Sequence, residues 1–386
     1  MRSRINSSVA LRRRAEFLTF EQRRVMLDIE QNEFECRSGI FIQKGKKVMK
    51  KHLFAEDGKF YKTNLHCHTT YSDGKLSPAE IKEVYKKAGY AAVAFTDHDI
   101  FVAHDELVDD EFVPLHGYEV EVSQPDTPFR FRKTCHLCFI ALDKSNLTQV
   151  CLHRSNYMIG NAASHFDEMV FGDAEDYVRS YTPHGVNDMI RKAKDAGFFV
   201  SYNHPTWSLE TLNEYGAYEG MDALEIFNGS CLASGYDESN AHAYDELLRQ
   251  GKMIAVTGSD DNHNGKPIDH PLSDSFVAFT MLWAKSIGYE AFAKALREKQ
   301  YYASTGPLLK ALWCEDGVLH VEAEPCESII FTTGIRRCSR ICEGKGNRVT
   351  EGLYKIDPID KYVRVTLIDQ NGGRAYTRAY TIEEML

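Results

Sequence analysis

The stretch Ser77-Pro-Ala-Glu80-Ile-Lys-Glu-Val-Tyr85-Lys-Lys-Ala-Gly89-Tyr-Ala-Ala-Val-Ala-Phe95-Thr-Asp-His98 decides the fold. Ser77-Pro-Ala-Glu80 is a capping box with proline at the first helical position. Ile81, Val84, Tyr85 and Ala88 then recur at helical spacing, and Gly89 supplies a stop. The run 91–95 is apolar throughout and too short for a helix, so it reads as a strand buried on both faces. The same cycle returns downstream. A helix over 186–196 stops at Gly197 and a strand over 198–202 follows. A strand over 223–227 comes next, then a helix over 241–249, a stop near Gly251 and a strand over 253–257. Alternation of this kind implies a parallel α/β fold.

Length and composition set the frame. The chain has 386 residues, 43% hydrophobic and 26% charged, which suits one large α/β domain with appendages and excludes global disorder. Three regions emerge. Residues 1–58 are an N-terminal extension with a basic head and a strand-like run at 39–43. Residues 59–306 carry the strand–helix cycle. Residues 307–386 form a β-rich C-terminal domain with runs at 318–323, 328–333 and 361–369, and the tail 382–386 is unassigned. A net charge of −10 argues against nucleic acid as a partner. It leaves room for a phosphorylated small molecule, because bound cations reverse the local field. No apolar run reaches the roughly 18 residues of a membrane span. The basic head lacks the apolar stretch of a secretory signal and reads as an extension in preference to a transit peptide. Ten cysteines without framework spacing are expected as reduced thiols, with a cytoplasmic location. The oligomeric state is not legible.

Polar residues gather just after the strands. Residues 63–65 run into His66 and His68, 91–95 into Asp97, His98 and Asp99, 198–202 into His204, and 253–257 into Asp260, Asp261 and His263. Sites of α/β folds form at the C-terminal ends of strands. With 15 histidines in the chain, a chance His-x-His pair is expected roughly 0.6 times, so the weight lies in four strand ends together. In His66-Cys67-His68, residues two apart on an extended chain share a side, so both rings reach one ion and Cys67 turns into packing. Asp261 and His263 can do the same from the opposite wall. Imidazole with carboxylate suits Zn, Mn or Fe, and ions sharing a carboxylate activate water and clamp a phosphoryl or acyl oxygen.

These residues, in order, resemble a known family. His66-x-His68-x4-Asp73 with Ser72-Asp73-Gly74, then Thr96-Asp97-His98, Gly117-Tyr118-Glu119, Cys135-His136-Leu137, Asn203-His204-Pro205 and Asp261-x-His263 are similar to the motif set of the PHP (polymerase and histidinol phosphatase) domain, over roughly 60–306. The resemblance implies a distorted (β/α)7 barrel of the amidohydrolase type and two to three divalent transition metals. One would be held by His66, His68, Glu119 and Asp261, a second by Glu119, His136 and His204, and a third by Asp73, His98 and His263. It also implies a bridging hydroxide as nucleophile and a phosphoester substrate. The runs 223–229, 258–260 and 301–307 resemble the branch named for carbaryl and carbamate hydrolases. Departures exist. The doubled Asp260-Asp261 offers two candidate ligands, and Asp261 is taken because Asp-x-His keeps both side chains on one side. Glu121 alternates with Glu119 as a rival. His136 begins its apolar run where the other ligands follow theirs, and the basic residues that grip phosphate elsewhere have no clear match.

The expected catalytic residues are Asp261, His98 and Asp99. Asp99 and His104 are candidate proton donors. The long segment between His136 and His204 reads as a lid or specificity loop. His153, Arg154, Arg179, His184 and Arg191 in it could clamp an oxyanion, and Arg154 and Arg179 are the substrate-binding candidates. Cys135-x2-Cys138 lacks a second pair and reads as two ordinary thiols. The basic run 336–340 reads as a solvated face. The expected function is a metal-dependent phosphoesterase acting on a small phosphorylated metabolite. The alternatives are a carbamate, ester or amide hydrolase, and a non-catalytic metal-stabilised binding module.

Overall fold

The computed structural model describes residues 50–344 and 346–386; the basic head and the run at 39–43 lie outside them. Seven strands position the polar cluster: β1 (Lys59–Asn64), β2 (Tyr90–Phe95), β3 (Val113–Ser123), β4 (Thr134–Ala141), β5 (Phe198–Tyr202), β6 (Ala223–Asn228) and β7 (Ala255–Ser259). They are hydrogen-bonded in the order β7-β6-β5-β4-β3-β2-β1. The sheet continues past β1 through β8 (Phe279–Ala284) and β9 (Tyr301–Ser304) into Arg374–Thr377, Tyr362–Ile368, Ser328–Thr333 and Cys338–Ile341. A second sheet holds Lys51–His52, Leu309–Glu315, Val318–Cys326 and Val349–Lys355. Its Leu312, Leu319 and Val321 share one core with Phe331 and Val363 of the large sheet and with Ile81 and Val93. The tail is a short helix, Ile382–Met385, begun by a Thr381/Glu384 capping box.

The opening stretch folds as read. Helix α1 (Pro78–Lys87) starts at Ser77, whose hydroxyl accepts from Glu80 N at 3.3 Å while Ser77 N donates to Glu80 Oε2 at 2.8 Å. Gly89 turns the chain at φ +82°, where a side chain would be strained, and every residue of β2 is buried. Helix α2 (Pro183–Asp195) likewise opens on proline after Thr182, whose hydroxyl accepts from Gly185 N, whereas α3 (Ala241–Arg249) and α4 (Tyr289–Arg297) begin without a side-chain cap and are held by their buried faces. No helix among the described residues is long and apolar enough to cross a membrane. The nine described cysteines are all free.

One expectation needs correction. The sheet is not parallel throughout, because β4 pairs antiparallel with both β3 and β5. The connection at 124–133 is too short for a helical crossover, so the chain doubles back as a hairpin. The seven strands also do not close by a β1–β7 ladder. The edge of β1 away from β2 is taken by β8, antiparallel from Lys59 to Thr63. The sheet nonetheless curls. One apolar cluster takes Tyr61 from β1, Ala92 from β2, Leu115 from β3, Ile140 from β4, Phe199 from β5, Ala223 from β6 and Ala255 from β7. Beyond the ends of β1 and β7, Cys67 and Asn262 meet in a parallel bridge. Strand β7 itself runs two residues later than the apolar pattern suggests. Its ladder with β6 bulges between Thr257 and Gly258, and a Cβ at Gly258 would meet Phe279 O at 2.9 Å.

Gly117 marks the point where β3 changes partners. Residues 113–116 pair with β2, and 117–123 pair with β4. A Cβ there would sit 2.8 Å from Phe139 O and 3.1 Å from Thr96 Cγ2. Gly117→Ala is expected to lose about 1–3 kcal/mol of stability, as overpacking does, read as a lower urea midpoint at unchanged slope.

Candidate metal centre

Six of the seven strands run the same way, so their C-terminal ends share one edge. The reversal of β4 brings its beginning to that edge, which is why His136 belongs to the cluster although it precedes its apolar run. On β3, Tyr118, Val120 and Val122 face an outer core with Cys135, Leu137 and Phe139 of β4. By alternation Glu119, Glu121, His136 and Cys138 face the inner side.

Glu119 is the centre of the cluster and is buried. Its Oε1 lies 3.3 Å from His66 Nε2, 3.1 Å from His136 Nδ1 and 3.4 Å from His204 Nε2. Its Oε2 lies 3.4 Å from His68 Nε2 and 3.2 Å from His98 Nδ1. Asp261 Oδ1 is 3.2 Å from His66 Nε2 and 3.1 Å from His68 Nε2, and the two Nε2 atoms are 3.1 Å apart. Donors about 2.0–2.1 Å from one tetrahedral ion stand roughly 3.3–3.4 Å from each other, so His66, His68 and Asp261 have the spacing of donors to one ion, with Glu119 a similar distance from both rings. His136 Nε2 and His98 Nδ1 are buried and lie 3.3 and 3.2 Å from Glu121 Oε2 and Glu119 Oε2 without the geometry of a hydrogen bond, which fits nitrogen donors kept for an ion.

A second group stands at the mouth. Asp73 Oδ1 is 3.5 Å from His263 Nε2 and 3.7 Å from His68 Nδ1, and Oδ2 is 4.0 Å from His98 Nε2. The Asp73 side chain is 55% exposed against 1% for His66, so solvent reaches this end first. His98 can be shared between Asp73 and His263 on one side and Glu119 and His136 on the other. His204 falls equally with His66 and Glu225. All nine residues expected as ligands are therefore brought together.

Electrostatics follow from this crowding. Burial opposes charge on His68, but Asp261 and Glu119 raise it to about 10. His136 is likewise raised to about 10 against burial, by Glu119 and Glu121. Burial and the neighbouring His68 push His98 down to about 4. The carboxylates of Glu119 and Asp261, despite burial, are held below their ordinary range by the surrounding histidines. The cluster calls for positive charge, which divalent ions would supply in place of ring protons.

Asp260 and Asp261 have opposite fates. Asp260 turns away and accepts from Phe276 N, Val277 N, Ala278 N and Tyr85 OH at 2.7–2.9 Å. Asp261 faces the histidines, but not by simple alternation, since its φ is +51°. Asp99 and His204 are also left-handed, at +56° and +28°. Such residues cost on the order of 1–3 kcal/mol each and persist where other bonds fix them. Here Asp261 N donates to His66 O, Asp99 N to Glu119 O and His204 N to Glu225 Oε2.

The supporting roles of Glu225, Asn228, Asn203, Asp97 and Trp207 escaped the sequence reading. Glu225 Oε1 stands 3.1 Å from His66 Nδ1, and its Oε2 accepts from Asn228 Nδ2 at 2.8 Å. Asn228 Nδ2 also donates to Asp261 Oδ2 at 3.0 Å. Asn203 Nδ2 donates to Glu119 Oε1 and to Cys138 Sγ, so Cys138 adjoins the cluster while Cys135 packs in the outer core. Asp97 is spent on the loop carrying Asp73, accepting from Thr69 N and from Ser72 N and Oγ. Trp207 lies edge-on to His136 and His204, with centroids 5.4 and 5.2 Å away. Cys67 is buried in an apolar core. The signal for Glu225 was present, as a lone acid in a run buried on both faces. Glu225→Gln is expected to weaken metal binding roughly 10–100-fold, as loss of a partner behind a ligating histidine does, measured by metal titration of the stripped protein.

The residues expected at the substrate are placed otherwise. Arg154 pairs with Asp176 at 2.7 Å and donates to Asp173 O. Arg191 pairs with Asp188 and Asp195. Arg179 is buried and bonded to both carboxylate oxygens of Asp99. Neither Arg154 nor Arg179 makes an ion pair or hydrogen bond to a side chain of the nine clustered residues. His104 packs edge-on to Phe95 and Tyr71.

Residues 64–196 match the family model described as the PHP domain. No curated protein matches the chain. Among solved structures, the chain is similar to a two-domain protein from Bacteroides vulgatus, described as containing a PHP-like metal-dependent phosphoesterase. The identity is 15% and the TM-score 0.40, with 88% of this chain and 100% of that one covered. A protein from Bifidobacterium adolescentis, described as a metal-dependent phosphoesterase, has 20% identity and a TM-score of 0.35 over 55% of this chain and 92% of its own. An amidohydrolase from Chromobacterium violaceum, with sulfate bound and no metal, has 16% identity and a TM-score of 0.32 over 55% and 93%.

Proposed function

We propose that the chain is a PHP-type metal-dependent hydrolase, with two to three divalent ions held by His66, His68, Asp73, His98, Glu119, His136, His204, Asp261 and His263. The observation that carries this is the donor spacing. His66, His68 and Asp261 stand 3.1–3.2 Å apart, and Glu119 lies 3.3–3.4 Å from both rings, close to the separation expected around one ion. Such ions, when bound, lower the pKa of water and polarise the ester oxygen. The chain's own contribution is order. Glu225 holds the His66 ring, Asn228 and Asn203 hold the Asp261 and Glu119 carboxylates, and Asp97 holds the loop bearing Asp73. We assign Asp261 and His98 to the reacting centre, next to the half-exposed mouth group. A PHP-type barrel over 59–306, with appended regions 1–58 and 307–386, is the frame we adopt.

The first reading of the substrate is a small phosphoester, because several cations sharing one carboxylate suit in-line displacement at phosphorus. A second reading, carbamate or carboxylic ester hydrolysis, is favoured by one observation. The arginines between His136 and His204 expected to grip phosphate are paired with this chain's own carboxylates. Protein stripped with chelator and reloaded with Zn, Mn or Fe, assayed on phosphate mono- and diesters and on aryl carbamates and esters, separates the two. Phosphate release only after reloading is the expected result. Turnover of carbamates alone selects the second reading, and no turnover of any substrate contradicts the hydrolase.

A further inference from the structure

Asp99 and Arg179 form a buried pair that no part of the proposed chemistry uses. Their side chains are 6% and 1% exposed. Arg179 Nη1 and Nη2 donate to the two Asp99 oxygens, and Nη1 also donates to Glu121 O at 2.9 Å. Nε donates to Cys151 O at 3.0 Å. The guanidinium lies 3.9 Å from the Tyr157 ring centroid, and Arg179 N donates to Tyr157 OH. Arg179 thus gathers the segment between β4 and α2. That segment has a small core of its own, in which Leu152, Met158 and Met169 pack on Ile100. Asp99 faces the other way. It directly follows His98, and its N–H donates to Glu119 O at 2.9 Å. Gln149 closes the ring, donating to Asp99 O and accepting from Phe101 N.

We propose that the Asp99–Arg179 pair is a clasp that positions His98 and Glu119 by tying the segment between β4 and α2 to the backbone that carries them. His98 Nδ1 and Glu119 Oε2 stand 3.2 Å apart. Their backbones are fixed through Asp99, and Asp99 is fixed through a planar fork that lysine cannot reproduce. Lifting the segment would unpair a buried charge, so closure of the segment and order at these two donors are a single event. Arg179 is in this account a positioning residue, not a substrate ligand. The inference rests on the metal reading of the site.

The test uses the full chain with Arg179→Lys, Arg179→Met, Asp99→Asn and the Asp99→Asn/Arg179→Met double variant. Each is titrated with Mn or Zn by calorimetry, and amide exchange is followed in 98–101 and 149–179. Arg364→Lys is the control, since Arg364 makes a comparable buried pair with Asp245 and would lower stability without touching the site. The single variants at Arg179 and Asp99 are expected to weaken metal binding about 10–100-fold. The double variant should be no weaker than the worse single one, the control should match wild type, and exchange should quicken in both segments together. Folded Arg179→Lys with wild-type metal affinity and unchanged exchange in 98–101 overturns the clasp, and this variant decides if Arg179→Met does not fold. If wild type itself binds no metal, the proposed function falls and exchange alone judges the clasp. Joint quickening then supports it, and quickening confined to 149–179 overturns it.

Discussion

Replacing Glu119 by glutamine is expected to lower kcat/KM by roughly 10³-fold or more, as loss of the main charge at a reacting centre does, and to cost the protein at least one bound ion. Five imidazoles face its two oxygens within 3.4 Å, whereas Asp261 has only two that close and two more at 3.9 Å. The amide is isosteric but neutral and offers one acceptor where the acid offers two. The fold should survive in the metal-free state, because the substitution removes a buried charge and not a packing contact. The readouts are metal content by elemental analysis beside turnover of the reloaded enzyme. A Glu119→Gln protein with full metal content and wild-type turnover would contradict the assignment.

Asp260→Ala is expected to have the largest effect on stability, about 3–5 kcal/mol, because it leaves several buried donors unsatisfied at about 1–3 kcal/mol each. It removes the shared acceptor of three successive N–H groups, at Phe276, Val277 and Ala278, and of Tyr85 OH. Those bonds tie residues 276–278, just before β8, to helix α1. Burial outweighs them enough to lift the Asp260 carboxyl to about 6, so the position depends on every bond it makes. Asp260→Asn, which keeps one acceptor oxygen, should fall between Ala and wild type. Asp261→Ala should do the reverse, losing metal and turnover with little change in the metal-free urea midpoint. Denaturation of the stripped proteins separates the neighbours. Equal loss in both would mean that the two aspartates do not divide their work as described.

Residues 77–98 made α1, β2 and the position of His98 legible because capping, spacing and burial all agree there. Glu119 was hidden for a physical reason. Tyr118, Val120 and Val122 alternate with Glu119, Glu121 and Ser123, the pattern of a strand with one solvated face. Here that face is buried at Glu119 and half exposed only from Glu121 onward, so the ligand lies where the strand enters the cluster. His136 was misleading because direction within a sheet depends on the length of a connection, and the hairpin at 124–133 carries no helical pattern to mark it. The choice of Asp261 over Asp260 came from alternation, whereas the structure achieves it through a left-handed residue that alternation does not describe. Arg179 showed only its charge in the sequence. That its partner would be Asp99, eighty positions earlier, is a tertiary fact.

The most direct test of the central claim is the position of metal in a crystal of the wild-type protein. Crystals soaked in Zn or Mn, with data collected on either side of the metal edge, should show anomalous density among His66, His68, Glu119 and Asp261. A second peak is expected beside His98, His136 or His204, and both should be absent in Glu119→Gln. Saturating metal with no anomalous density at Glu119, or density confined to surface carboxylates, would contradict the account.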